Sequence, residues 1–196
     1  MKKTLVIAIS CLLGFAMSAQ LVIKDRGLQK RLDEYMKLNK ELNFKKLIDY
    51  IHPSLFKIAP KKDIIQAFEQ TFNNDKVEIR FDSLNIVSVE PPFKYHEVIY
   101  QKVNYYTSME LRVKDSAIRA NENYPEALIR TLENGFPSHQ VTYDKERDKL
   151  IIRGEDIMIA IKDKPEAKWM FLGYKKNDAL MKTLFPKELM AHYKLE

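Results

Sequence analysis

The feature that most constrains this chain is a long stretch, residues 95–113, in which apolar and polar residues alternate. The apolar members of one face are Ile99, Val103, Tyr105, Met109, Leu111 and Val113. A period of two places successive side chains on opposite faces of a β-strand. Strands usually have about 3–10 residues, and longer ones bend with the twist of the sheet. The stretch therefore predicts a long strand in a strongly curved sheet.

A second alternating segment precedes it, at residues 77–86. Val77, Ile79 and Phe81 occupy odd positions, whereas Leu84 and Ile86 occupy even positions. A change of phase within one strand is typical of a β-bulge, which inserts one extra residue. We therefore expect a bulge or bend near residue 83.

Helical periodicity dominates the segments on either side of these strands. Residues 25–51 carry apolar residues at every third or fourth position, with a break near Asn43. A further helix is predicted from Pro60 to Asn73, and another at 123–136. We then expect four short strands and a C-terminal helix capped by Asn177. Pro186 either ends that helix or starts a last short one through Leu189 and Tyr193. The short strands are predicted near residues 139–143, 149–153, 157–162 and 167–172.

The order of these elements predicts an α+β fold. Helices that are segregated from strands favour N-terminal helices packed on a strongly curved, mostly antiparallel β-sheet, with a C-terminal helix. We expect helices over one face of the sheet. The element order, the long strands and the late strand Lys168-Trp169-Met170-Phe171 resemble the cystatin-like or NTF2-like cone over most of residues 25–175. Because the helix at 123–136 comes late for a cone, another α+β sandwich is the alternative.

The first twenty residues have the layout of a secretory signal peptide. Lys2 and Lys3 precede an uncharged, largely apolar stretch, and Ser18-Ala19 offers small residues for cleavage before Gln20. We expect residues 1–19 to be removed and residues 20–196 to form a single domain, periplasmic or secreted, without further membrane contact. The alternatives are an uncleaved membrane anchor and lipidation at Cys11.

Composition argues against several partners and cofactors. Cleavage would remove the only cysteine, and with it any disulfide or thiolate ligand. The remaining 31 basic and 27 acidic residues are interspersed along the chain, which argues against a nucleic-acid partner. Because the chain has five glycines and no phosphate-binding, dinucleotide or hydrolase motif, we expect no cofactor.

The histidines predict neither a metal site nor a catalytic base. They are His52, His96, His139 and His192, and none has a second histidine at the spacing of a zinc helix. His52 precedes Pro53 at a helix end, where the helix dipole favours an imidazole. A general base there would need a carboxylate such as Asp49 or Asp63, and we favour the structural role.

Two polar residues on the apolar face of the long strand suggest a ligand pocket. Glu97 and Gln101 share the odd-numbered face that carries Tyr105. The cone resemblance implies a pocket between sheet and helices, and we predict that Glu97, Gln101, Tyr105 and Trp169 line it. The simpler alternative is that the strand twists at its start and that Glu97 and Gln101 reach water.

The sequence therefore predicts an exported, non-catalytic domain that binds an unknown small molecule or an envelope protein. One alternative is a cone enzyme, an isomerase, dehydratase or hydrolase, that uses a carboxylate and a histidine. A carboxylate and an imidazole within hydrogen-bonding distance in a closed cavity would favour that enzyme. Another alternative is an interaction protein that pairs through a strand edge or sheet face.

Overall fold

The computed structural model describes residues 23–195, which form seven α-helices and six β-strands. The helices are α1 (Arg26–Lys40), α2 (Phe44–Leu47), α3 (Lys61–Phe72), α4 (Ser116–Arg119), α5 (Glu126–Gly135), α6 (Ala179–Leu184) and α7 (Lys187–His192). The strands are β1 (Val77–Val89), β2 (Phe93–Tyr95), β3 (Val98–Val113), β4 (His139–Asp144), β5 (Lys149–Lys162) and β6 (Met170–Tyr174). Two short 3-10 helices, Ile48–Tyr50 and Pro53–Lys57, follow α2.

The signal-peptide prediction, with its cleavage site at Ala19 and the lipidation alternative at Cys11, lies outside these described residues. Within residues 23–195, no helix combines the length and the apolar character that crossing a membrane requires.

All six strands belong to one antiparallel sheet that does not close into a barrel, which confirms the α+β prediction. The main strand order is β1-β3-β5-β4, while β2 pairs with β3 and β6 pairs with β5. The central strands β3 and β5 pair continuously from Ile99 opposite Lys162 to Leu111 opposite Leu150.

The long strands differ from the sequence prediction in detail. The register of β1 shifts between Phe81 and Ser83, where the bulge was expected, and shifts again between Ile86 and Ser88. The predicted strand 95–113 is divided by a tight turn at His96 and Glu97, so that β2 ends before it and β3 begins after it. His96 adopts a positive φ of 52°, as a short hairpin turn requires.

Most helix boundaries agree with their predicted signals. Asn43 caps α2 by accepting a hydrogen bond from Lys46 N, and α3 lies between Pro60 and Asn73. The C-terminal prediction needs one correction, because Asp178 rather than Asn177 caps α6. Pro186 precedes the short helix α7, which agrees with one of the two predicted alternatives. The short helix α4 was not predicted.

The four short strands predicted after residue 138 are three in the structure. Two of them, 149–153 and 157–162, form the single continuous strand β5. Gly154 and the polar residues Glu155 and Asp156 lie between them and interrupt the apolar pattern without interrupting the backbone pairing with β3. That polar interruption is the centre of the site described below.

Helices cover both faces of the sheet rather than one. The first face consists of the odd-numbered residues of β3 and the even-numbered residues of β5. It packs against α1 through an α1 cluster, which includes Leu28, Leu32, Val103 and Met158, and against α5 through an α5 cluster, which includes Met109, Ile152, Leu128 and Leu132. The second face packs against α6 and α7 through a C-terminal cluster, which includes Ile159, Ile161, Met181 and Leu189.

Candidate functional site

The first face of the sheet has a polar gap between its two apolar clusters. Tyr105 of β3 lies directly opposite Asp156 of β5. Thr107 is the next residue of β3 on this face. Val103 on one side belongs to the α1 cluster and Met109 on the other side to the α5 cluster. Three polar side chains therefore separate two parts of the core at one level of the sheet.

A cleft of about 170 Å³ lies over this gap, between the C-terminal half of α1, strand β1 and the central strands. We call it the Asp156 cleft. Its lining residues are Tyr35, Met36, Asn39, Phe81, Leu84, Tyr105, Thr107, Met109 and Asp156. Three of these residues are aromatic, one is a carboxylate, and none is a lysine, arginine or histidine. The cleft is therefore suited to a ligand that is positively charged or donates hydrogen bonds.

The carboxylate of Asp156 is held on one side only. Its Oδ2 accepts hydrogen bonds from His139 Nε2 at 3.1 Å and from Thr107 Oγ1 at 3.2 Å. Its Oδ1 accepts no hydrogen bond from the residues that the structure describes, and the side chain is 33% exposed. One oxygen thus fixes the position of the carboxylate, and the other remains available to a ligand.

His139 orients this carboxylate from within the protein. Its side chain is 2% exposed, and its Nδ1 is buried without a hydrogen-bond partner within residues 23–195. Because a carboxylate can only accept hydrogen bonds, Nε2 must carry the hydrogen. The ring lies so close to β5 that a Cβ at Gly154 would be 2.6 Å from His139 Cγ. Only glycine at position 154 leaves room for the imidazole.

Tyr105 supplies a neutral phenol beside the carboxylate. Burial raises the pKa of Tyr105 far above its usual value, and the negative charge of Asp156 and the proximity of Tyr35 raise it further. The phenol therefore keeps its proton throughout the physiological pH range and can donate or accept a hydrogen bond in the cleft.

Of the four predicted site residues, the structure brings only Tyr105 to the Asp156 cleft. Glu97 is in the turn between β2 and β3, where its side chain is 79% exposed and 4.0 Å from Lys94 Nζ. Gln101 is buried and donates a hydrogen bond from Nε2 to Glu90 O at 3.1 Å. Trp169 is also buried, and its indole N–H binds the carboxylate of Asp25. None of these three residues lines the Asp156 cleft.

His52 has a carboxylate partner that the sequence did not suggest. Its Nε2 lies 3.1 Å from Asp163 Oδ1, rather than beside Asp49 or Asp63. Its Nδ1 lies 2.8 Å from Ser54 Oγ and accepts from Ser54 N, which caps the 3-10 helix Pro53–Lys57. These contacts are those of a capping residue at the start of that 3-10 helix.

Sequence reasoning missed His139 and Asp156 as partners. The available signal was Asp156 itself, a charged residue on the face of β5 that carries Ile152 and Met158 on either side. No group of three or more histidine, cysteine or carboxylate side chains with the geometry of a metal site occurs in the described part of the chain.

Comparison of the chain with family models, with curated proteins and with solved structures gives no match. The resemblance to the cystatin-like or NTF2-like cone therefore stays a prediction.

Proposed function

We propose that the chain is an exported, non-catalytic domain that binds a small organic cation in the Asp156 cleft. The observation that supports this proposal is the lining of the cleft, where one carboxylate stands among aromatic side chains without a cationic residue. Ammonium groups are attracted both to carboxylates and to the faces of aromatic rings. The small volume favours a ligand the size of choline. The exported location rests on the signal-peptide pattern of residues 1–19.

An enzyme is the second candidate, because His139 and Asp156 form a carboxylate–imidazole pair with a distance of 3.1 Å. General acid–base catalysis requires that a ring nitrogen reach a proton of the substrate. Here Nε2 is engaged by Asp156, and Nδ1 is buried on the side away from solvent. The imidazole thus orients the carboxylate, and binding is the better supported function.

The test compares choline with its neutral analogue 3,3-dimethylbutan-1-ol by isothermal titration calorimetry on the full chain. The two molecules have the same shape and differ in the charge of the central atom. A cation–carboxylate contact supported by aromatic rings is worth roughly 1–2 kcal/mol, so we expect choline to bind about five- to thirtyfold more tightly. Equal affinity for the two molecules, or binding of neither, would overturn the proposal.

Two matched substitutions locate the site. Asp156→Asn keeps the shape of the side chain but removes its charge, and we expect choline to bind about tenfold more weakly. Glu97→Gln removes one negative charge from an exposed turn outside the cleft, and we expect unchanged affinity. An equal loss in both variants would mean that choline responds to the net charge of the protein rather than to the cleft.

A further inference from the structure

A larger cavity than the Asp156 cleft lies at another place, between the end of β6 and helices α6 and α7. Its volume is about 680 Å³. This value lies within the range of about 300–1,000 Å³ that is usual for ligand sites. We call it the C-terminal pocket, and it shares no lining residue with the Asp156 cleft.

The floor of the C-terminal pocket is apolar. Met181, Phe185, Met190 and Leu195 line it, and each is less than one-tenth exposed as a member of the C-terminal cluster. The hydroxyl of Tyr174 donates a hydrogen bond to the carbonyl of Leu195 and so holds that residue against the end of β6. The two methionines have flexible, polarizable side chains that adapt to the shape of an apolar ligand.

The rim of the same pocket is cationic. Lys182 of α6 and Lys187 of α7 line it, and both residues are exposed. Neither lysine forms an ion pair with a residue in the described range 23–195. Asp178 also lines the pocket, so its charged lining residues are two lysines and one carboxylate, with a net charge of +1. An apolar floor below unpaired ammonium groups is complementary to an anionic amphiphile.

We infer that the C-terminal pocket binds a free fatty acid. The acyl chain lies on the floor of Met181, Phe185, Met190 and Leu195, where its burial removes apolar surface from water. The carboxylate lies at the rim, within reach of the ammonium groups of Lys182 and Lys187. This site is independent of the cation site in the Asp156 cleft and takes a ligand of the opposite charge.

The experiment measures the binding of octanoate, decanoate and dodecanoate to the full chain by calorimetry, below the concentrations at which they form micelles. Burial of methylene groups predicts that affinity rises on the order of tenfold for each two carbons added. Octan-1-ol, which lacks the carboxylate, is expected to bind several-fold more weakly than octanoate. No binding of dodecanoate, or equal binding of the alcohol and the acid, would overturn the inference.

Substitutions then distinguish this pocket from nonspecific adsorption. Ala179 is an exposed residue of the lining, and Ala179→Trp fills the cavity, so dodecanoate should bind more than tenfold more weakly. Lys182→Gln and Lys187→Gln should each weaken it about fivefold. Lys175→Gln is the control, because Lys175 is an exposed lysine in the adjacent turn that does not line the pocket.

Circular dichroism and the affinity for choline show whether each variant is folded, since the Asp156 cleft is untouched by these changes. An affinity for dodecanoate that is unchanged in Ala179→Trp would place the fatty acid elsewhere. So would an affinity that falls as much in Lys175→Gln as in Lys182→Gln. A failure of choline binding in the unmodified chain would leave the dodecanoate result standing, because the two sites share no residue.

Discussion

The indole of Trp169 donates a hydrogen bond from Nε1 to Oδ2 of Asp25 at 3.0 Å, which joins two residues 144 positions apart. The other oxygen of Asp25, Oδ1, accepts from Leu28 N at 2.9 Å and caps α1. One carboxylate therefore starts the first helix and attaches it to the residue just before β6. This contact assigns Trp169 a structural role.

Replacing Asp25 should destabilise the fold in a manner that depends on pH. Burial opposes ionisation of Asp25, yet hydrogen bonds from Leu28, Trp169 and Gly27 outweigh it and lower the pKa of Asp25. The resulting stabilisation is present above the unfolded-state pKa of about 3.9 and is lost as pH falls through the lower folded-state pKa. Asp25→Ala should lose about 2 kcal/mol at pH 7, from the cap and the indole hydrogen bond.

Urea denaturation followed by the fluorescence of Trp169, the single tryptophan, measures this loss. The difference between Asp25→Ala and the unmodified chain should be smaller at pH 3 than at pH 7. Asp33→Ala is the control, because Asp33 is an exposed carboxylate on the same helix that contacts only Gln29 in the described residues. An Asp25→Ala loss that is identical at both pH values would contradict the explanation.

Gly154→Ala should be far more destabilising than Gly173→Ala. A Cβ at Gly154 would lie 2.6 Å from His139 Cγ and 2.9 Å from the Ser138 carbonyl, and the backbone cannot move away cheaply. Overpacking of this kind costs roughly 1–3 kcal/mol. At Gly173 nothing lies within 4 Å of the new Cβ, so Ala should be neutral or slightly stabilising there.

Thermal denaturation of the two alanine variants provides the comparison, and choline titration adds a second readout. Because His139 orients Asp156, Gly154→Ala should also weaken choline binding, whereas Gly173→Ala should not. Equal melting temperatures for the two variants would show that the imidazole moves aside without cost.

The predictable part of this fold comes from patterns that act over a few residues. Asn43 was expected to divide the first helical segment, and it caps α2. The phase change near residue 83 predicted the first bulge of β1, because a bulge moves every later side chain to the other face. Signals of this kind are local, so they can be recognised before any tertiary contact is known.

The candidate site was less predictable because it depends on pairing between distant residues. Asp156 and His139 meet only because β4 and β5 pair in a register that places His139 opposite Gly154. Glu97 and Gln101 were expected to line a pocket from the periodicity of one long strand, but Glu97 lies in the turn before β3, and Gln101 donates its side-chain hydrogen bond to Glu90 O. Periodicity identifies the face of a residue and does not identify its neighbours across the sheet.

Tyr193→Phe should lower the free energy of unfolding at neutral pH. It should also make the free energy of unfolding fall less steeply as the pH becomes alkaline. The Tyr193 hydroxyl lies 2.7 Å from Pro91 O and 3.0 Å from Tyr100 O, and burial raises the pKa of Tyr193 to about 12. The unfolded-state pKa is about 10, so this contribution is present below pH 10 and is lost as pH rises toward 12.

Guanidinium denaturation at several pH values measures both effects. At pH 8 the variant should be about 1 kcal/mol less stable, because the carbonyl groups of Pro91 and Tyr100 lose the Tyr193 donor. Between pH 10 and pH 12 the unmodified chain should lose stability more steeply than Tyr193→Phe. Parallel curves over that interval would mean that the pKa of Tyr193 is the same in the folded and the unfolded chain.

Asp148 joins the turn between β4 and β5 to the segment that holds α4 and α5. Its Oδ1 accepts from Tyr143 at 2.7 Å and from Tyr124 at 3.4 Å, and its Oδ2 pairs with the guanidinium of Arg119. The hydrogen bond with Asp148 raises the pKa of Tyr143 to about 12. Asp148 also has a positive φ of 50°, a conformation that aspartate, asparagine and glycine tolerate better than alanine.

Three substitutions separate the backbone contribution of Asp148 from that of its side chain. Asp148→Asn keeps the conformational tolerance and an acceptor oxygen, so it should be the least destabilising. Asp148→Gly keeps only the tolerance of a positive φ, and Asp148→Ala keeps neither that tolerance nor an acceptor oxygen. The alanine variant should therefore lose about 1 kcal/mol more free energy of unfolding than the glycine variant. Arg119→Gln removes only the partly exposed ion pair and should cost less than about 1 kcal/mol. Urea denaturation at pH 7 gives all four values, and an alanine variant as stable as the glycine variant would show that the positive φ relaxes freely.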